Sequence, residues 1–199
     1  MKYLITIVCW LWVPWAMAQP VLGENLAAAL IDKGLQAQPL IWLPFPLPYE
    51  VEQGSRSKDA LLLDALFRNE LIAREKVMKM GTVSEQGQTR KKVLLLWSYN
   101  YPMSRREQNT PEGFYYGRGR LKNIMELSPP YLIGDYYYAE AYIQWYVEDI
   151  QPWIEDPAFG SARTLRRTLE SERKPFEKRV YLQYDGQQWA LWQGEPGML

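Results

Sequence analysis

The chain has no histidine and one cysteine among its 199 residues. Without imidazole there is no Ser-His-Asp triad, no Cys-His pair and no histidine metal ligand. Any catalysis must rest on carboxylates, tyrosine, serine, lysine or arginine. An excess of charge is missing as well. The 23 basic residues face 23 acidic ones, so no global field draws the protein toward nucleic acid or anionic lipid. No Gly-x-Ser-x-Gly elbow, phosphate-cradling glycine loop or D-x-[DN]-x-[DN]-G calcium loop occurs. Internal repeats, low-complexity tracts and long linkers are absent too. Hydrophobic residues make up 47% of the chain, which places it with proteins that bury a core.

The front of the chain reads as an address. Lys2 supplies a positive start, Leu4 through Trp15 are nearly all apolar, and Ala16-Met17-Ala18 has the small-x-small form that signal peptidase cleaves. The apolar run is too short to span a hydrocarbon core of about 30 Å, and Pro14 breaks its end. Cys9 follows Thr6-Ile7-Val8, not the small residue of a lipoprotein site. Residues 1–18 are therefore expected to be a cleaved signal peptide and residues 19–199 a single domain with no transmembrane anchor. Cleavage would remove Cys9, and with it disulfide and thiol chemistry. It would also remove Lys2, leaving one acid in excess. The expected compartment is a bacterial periplasm, with secretion into the medium as the second destination.

Along the remaining chain, residues 23–33 predict a helix stopped by Gly34. Residues 40–48, with Pro44, Pro46 and Pro48 alternating, predict an edge strand that becomes a rigid connector, its Trp42 and Phe45 on the core. Ser57 is a helix N-cap, and Leu62, Leu63, Leu66 and Phe67 form an apolar face on a helix running to about Ala73. Residues 75–97 read as a hairpin and 102–111 as a polar loop. A strand is expected over 113–121 and a connection over 124–130. Tyr136 to Glu148 alternates strictly: Tyr137, Ala139, Ala141, Ile143, Trp145 and Val147 on one side, Tyr138, Glu140, Tyr142, Gln144, Tyr146 and Glu148 on the other. A serine-capped helix over 161–173 and a hairpin over 180–192 with a type I′ turn at Asp185-Gly186 complete the order. The fold expected is α+β, one domain with a mainly antiparallel sheet and two or three helices packed on it.

No constellation for catalysis stands out, and no cofactor or metal is expected. Glu140 and Glu148 share a strand face but stand roughly 26 Å apart along it, beyond the reach of a glycosidase pair. Asp149, Glu155 and Asp156 read as solvated loop acids. Arg118 and Arg120 share a strand face and suit a carboxylate or phosphate. The strongest cluster is aromatic: Tyr138, Tyr142 and Tyr146 interleaved with Glu140 and Gln144, flat rings beside hydrogen-bonding groups that stack on sugars or anchor a protein. The alternative for that face is burial beneath the Leu165/Leu169 helix. Two functions follow. One is a non-catalytic exported binding or envelope-assembly protein that recognises an envelope protein or cell-wall glycan through Tyr138, Glu140, Tyr142, Tyr146, Arg118 and Arg120. The other is a carboxylate-dependent hydrolase of cell-wall sugar or peptide, which needs two acids from different strands in one cleft.

Overall fold

The structure is a computed structural model that describes residues 19–85, 88–107 and 112–194. The expected leader, the hairpin tip at 86–87 and part of the expected polar loop, 108–111, lie outside the described residues. Helix α1 (Glu24–Ala37) buries Ala27, Ile31 and Leu35, spaced four apart, on one stripe. Gly34 does not stop it. The helix continues a further turn, and a side chain at Gly34 would put a Cβ 2.2 Å from Leu191 Cδ2. The glycine is there for close approach, not for termination.

After β1 (Pro39–Trp42) and β2 (Tyr49–Glu52) comes α2 (Lys58–Arg68). The Ala60 amide donates to Ser57 Oγ at 3.2 Å, as an N-cap requires. This helix ends before Ala73. Asn69 donates its side-chain amide to the Ala65 carbonyl (2.9 Å), Glu70 takes a positive φ of 60°, and Ile72 turns inward. The chain continues through β3 (Ala73–Glu85), β4 (Gln88–Asn100), the short α3 (Met103–Glu107), β5 (Phe114–Leu127), β6 (Tyr131–Ile133) and β7 (Tyr136–Glu148). Two 3-10 turns, Pro152–Glu155 and Pro157–Ser161, lead to α4 (Arg163–Leu169), β8 (Phe176–Tyr184) and β9 (Trp189–Leu191).

Among the described residues the strands form two antiparallel sheets. The larger runs β1-β5-β7-β8-β9, with β6 also paired to β7, and the smaller runs β2-β4-β3. The domain is α+β, as its alternation of patterns implied. Several local readings are corrected. Residues 124–127 belong to β5, where bulges between Leu121 and Asn123 and between Ile124 and Glu126 break the alternation that would have revealed them. Ser161 ends a 3-10 turn instead of capping α4, whose N-cap is Ala162. Asp185 Oδ1 accepts from the Gln187 and Gln188 amides, each at 2.9 Å, and Gly186 alone in that turn has positive φ. This is a four-residue turn built on an aspartate, not a two-residue type I′ turn.

Two cores flank the large sheet. In one, α1 lies against Ala139, Ala141 and Ile143 of β7, Leu182 of β8 and Trp189 of β9. The other gathers Leu62, Leu63 and Leu66 of α2 with Tyr99, Phe114, Trp153, Phe159 and Leu165. Asp156 fastens this second core. Its carboxylate accepts from the Ala158 amide (2.9 Å), Asn69 Nδ2 (3.1 Å) and Arg68 Nη2 (3.2 Å), tying the end of α2 to the 3-10 turn. The Ala158 bond, with help from Asn69 and Arg68, holds this carboxyl below the ordinary aspartate value of 3.8. A lowered folded value means that the stabilisation is complete above the unfolded value and lost as pH falls through the folded one. Asp156→Ala is expected to cost about 1–2 kcal/mol near neutral pH. The difference from wild type should shrink in urea titrations repeated below about pH 4.

Candidate functional site

Strand β7 has two unlike sides because its residues alternate between a helix and a half-open polar face. Ala139, Ala141 and Ile143 are fully buried beneath α1. The opposite side lies against matching residues of β8, with Tyr138 opposite Gln183, Glu140 opposite Tyr181, Tyr142 opposite Arg179 and Gln144 opposite Glu177. Cross-strand neighbours of this kind stand about 5 Å apart and interact directly. Tyr142 donates its phenol to Glu177 at 2.7 Å, and Gln144 donates to the same carboxylate at 3.0 Å. Arg179 pairs with Glu140 and lays its guanidinium 5.2 Å from the centre of the Tyr142 ring. Ser128 Oγ accepts the Glu140 amide at 2.9 Å. Glu126, Leu127, Ser128, Glu140, Tyr142 and Arg179 line a depression of about 260 Å³.

Charge is tuned across this face. The Tyr142 hydroxyl, followed by Gln144, holds the Glu177 carboxyl below the ordinary glutamate range, and the same Tyr142 bond raises the phenol above 10. Arg179 is raised further by the hydrogen bond and charge of Glu140. Tyr131 is raised by burial first and by Glu140 next. Glu177→Gln removes the acceptor charge and is expected to return the Tyr142 phenol toward 10. Titration of ¹³C-labelled tyrosine by NMR would show this as one resonance moving to lower pH. An unchanged resonance would mean the pair does not form.

The six residues singled out from the sequence have different fates. Tyr142 and Glu140 sit in the centre of the network just described. Tyr138 is only 7% exposed. It is covered by Tyr131 and, edge-on, by Trp192, with ring centres 6.4 and 6.2 Å away, and its hydroxyl accepts from Gln183 at 2.8 Å. Tyr146 is half-buried opposite Arg120. Arg120 reaches Asp32 of α1 at 3.2 Å and Glu148 at 3.9 Å, so it clamps the helix to β5. Arg118 is exposed opposite Glu148. The expected aromatic stripe is therefore closed at Tyr138 and half-open at Tyr142 and Tyr146. The four-residue steps between these tyrosines, about 13 Å each, separate them too far for one small ligand.

Residues the sequence did not single out complete the face: Glu177, Arg179 and Tyr181 of β8, Glu126 of β5, and Ser128 just after it. The signal for the first three was present, since Glu177, Arg179, Tyr181 and Gln183 alternate with Phe176, Lys178, Val180 and Leu182. Among the described residues no group of three acidic side chains is placed to hold a metal ion. Compared with known proteins, the chain matches no family model, no curated protein and no solved structure.

Proposed function

We propose that this chain is an exported, non-catalytic binding or envelope-assembly protein of the periplasm, with its recognition surface on the outer side of β7 and β8. One observation carries the reading. A set of polar and aromatic side chains is ordered by mutual contacts, with Tyr142 and Gln144 both bonded to Glu177, Arg179 paired with Glu140 and lying over the Tyr142 ring, and Glu126 beside them on the wall of the depression. A surface pre-ordered in this way loses little side-chain entropy on binding. Its chemistry suits hydroxyl-rich glycan, with carboxylates and an amide for hydroxyls and a tyrosine ring for a sugar face. It equally suits the polar rim of a protein interface. The leader-like residues 1–18 support export, and a cell-wall glycan or envelope protein is the partner that compartment offers.

The test is affinity recovery from envelope extract, paired with sedimentation on purified peptidoglycan. Wild type is expected to retain a partner in one of the two. Tyr142→Ala/Arg179→Ala should lose it while its thermal transition is kept. Retention by the double variant would place recognition elsewhere. The hydrolase reading draws on one feature: Glu126 and Glu140, from adjacent strands, both line the 260 Å³ depression. If that reading holds, Glu126→Gln abolishes turnover of cell-wall material without abolishing sedimentation.

A further inference from the structure

The β3–β4 hairpin overruns the helix that covers its root. The 11 residues of α2 extend about 16 Å, at ~1.5 Å per residue. The 13 residues of β3 extend about 43 Å, at ~3.3 Å per residue. Near α2 the inner face is filled: Arg74 pairs with Asp64 at 2.9 Å and lies over Phe67 and Trp97, and Tyr99 donates to Asp64 at 2.6 Å. Strand alternation carries this same face outward through Lys76, Met78, Met80 and Thr82, opposite Trp97, Leu95, Val93 and Lys91. There it is bare. Met78 is 74% exposed, Met80 68%, Val93 52% and Leu95 50%.

The charge of the arm is mainly basic. Residues 76–95 contain Lys76, Lys79, Arg90, Lys91 and Lys92 against the single acid Glu85, in a chain whose totals cancel. Lys79 is paired with Glu50. Lys76 and Lys91 flank the apolar quartet on its own face, one toward the root and one toward the tip.

We propose that this hairpin is a membrane-docking arm: Met78, Met80, Val93 and Leu95 enter the interface of a bilayer, and Lys76 and Lys91 meet anionic phospholipid headgroups. The arm is a projecting ribbon and encloses no small molecule. Flexible methionines adapt to a fluid apolar phase, and long lysine stems keep their charge at the headgroups while neighbours sink. Four side chains fall well short of the ~800 Å² that each partner buries in a stable dimer, so a second copy is the poorer occupant. No helix among the described residues is long and apolar enough to cross a membrane, so the attachment is to the surface. This inference is independent of the face formed by β7 and β8.

The test uses the chain from Gln19 onward, which contains every described strand and helix. It is sedimented with vesicles of phosphatidylcholine alone and of phosphatidylcholine and phosphatidylglycerol in equal parts. Binding to the anionic vesicles is expected to be at least about tenfold tighter, since each lysine at such a surface contributes roughly fivefold, and to fall with added salt. Met78→Ser/Leu95→Ser should weaken binding to both vesicles. Lys76→Glu/Lys91→Glu should erase the preference for the anionic ones. Circular dichroism checks that each variant folds, and the salt dependence of wild type stands without any variant. The proposal is overturned by absence of binding, by equal binding to both vesicles, or by anionic binding that survives Lys76→Glu/Lys91→Glu. It is likewise overturned by a dimer in sedimentation velocity that Met78→Ser/Leu95→Ser dissolves, which would assign the patch to a second copy.

Discussion

Ala141→Asp is expected to abolish cooperative folding, whereas Tyr142→Ala, one residue along, should leave the unfolding transition within about 1 kcal/mol of wild type. Ala141 is fully buried beneath α1, in register with Leu127 on one side and Val180 on the other. A carboxylate there is set among apolar side chains and must either ionise in that site or bind a proton. Each route costs several kcal/mol, at least ~4 in sum with the lost packing of Ile31. Domains of this size are commonly stable by only about 5–15 kcal/mol. Tyr142, by contrast, gives up one exposed hydrogen bond to Glu177. Urea denaturation of the pair reads both sides of β7 in one experiment. Similar losses at both positions would mean that the strand has no open side.

Phe159→Ala should cost about 3–5 kcal/mol, the second large effect. Phe159 is 1% exposed and meets Trp42 and Trp153 edge-on, with ring centres at 5.7 and 5.3 Å. It joins the end of β1 to the 3-10 turns, and its ring fills volume at the centre of this core. Phe159→Leu keeps most of that volume and should cost about 1–2 kcal/mol. The two variants together separate lost packing from general disturbance of the turn. Equal costs would show that the edge-on contacts and the ring volume contribute nothing specific.

Where one face of an element meets one kind of environment, its pattern was legible. The alternation of residues 136–148 matches β7 because a sheet with a helix on one side sorts its side chains by period two. The Ser57 cap and the apolar face of α2 were legible for the same local reason. Three features were not. The bulges in β5 hide residues 124–127, since an added residue inverts the alternation midway. Glu177-Lys178-Arg179 looks like a solvated charge run, although Glu177 and Arg179 face outward and Lys178 lies 5.4 Å over the Trp145 ring. Tyr138 is covered by Trp192, and Arg120 is held by Asp32, through contacts between residues 54 and 88 positions apart. No local pattern carries that information. The candidate face was therefore half visible: its β7 half could be read from the sequence, and its β8 half depended on pairing.

The outer side of β7 as a recognition surface is tested most directly by site-specific thiol labelling, because the chain from Gln19 onward contains no cysteine. Gln144→Cys, in the network but not needed for the core, is compared with Ala29→Cys on the exposed side of α1. Both should label readily in the isolated protein. Added envelope extract, or solubilised peptidoglycan, should slow labelling at position 144 alone. Equal labelling at position 144 with and without both additions would contradict the assignment of this face as the binding surface.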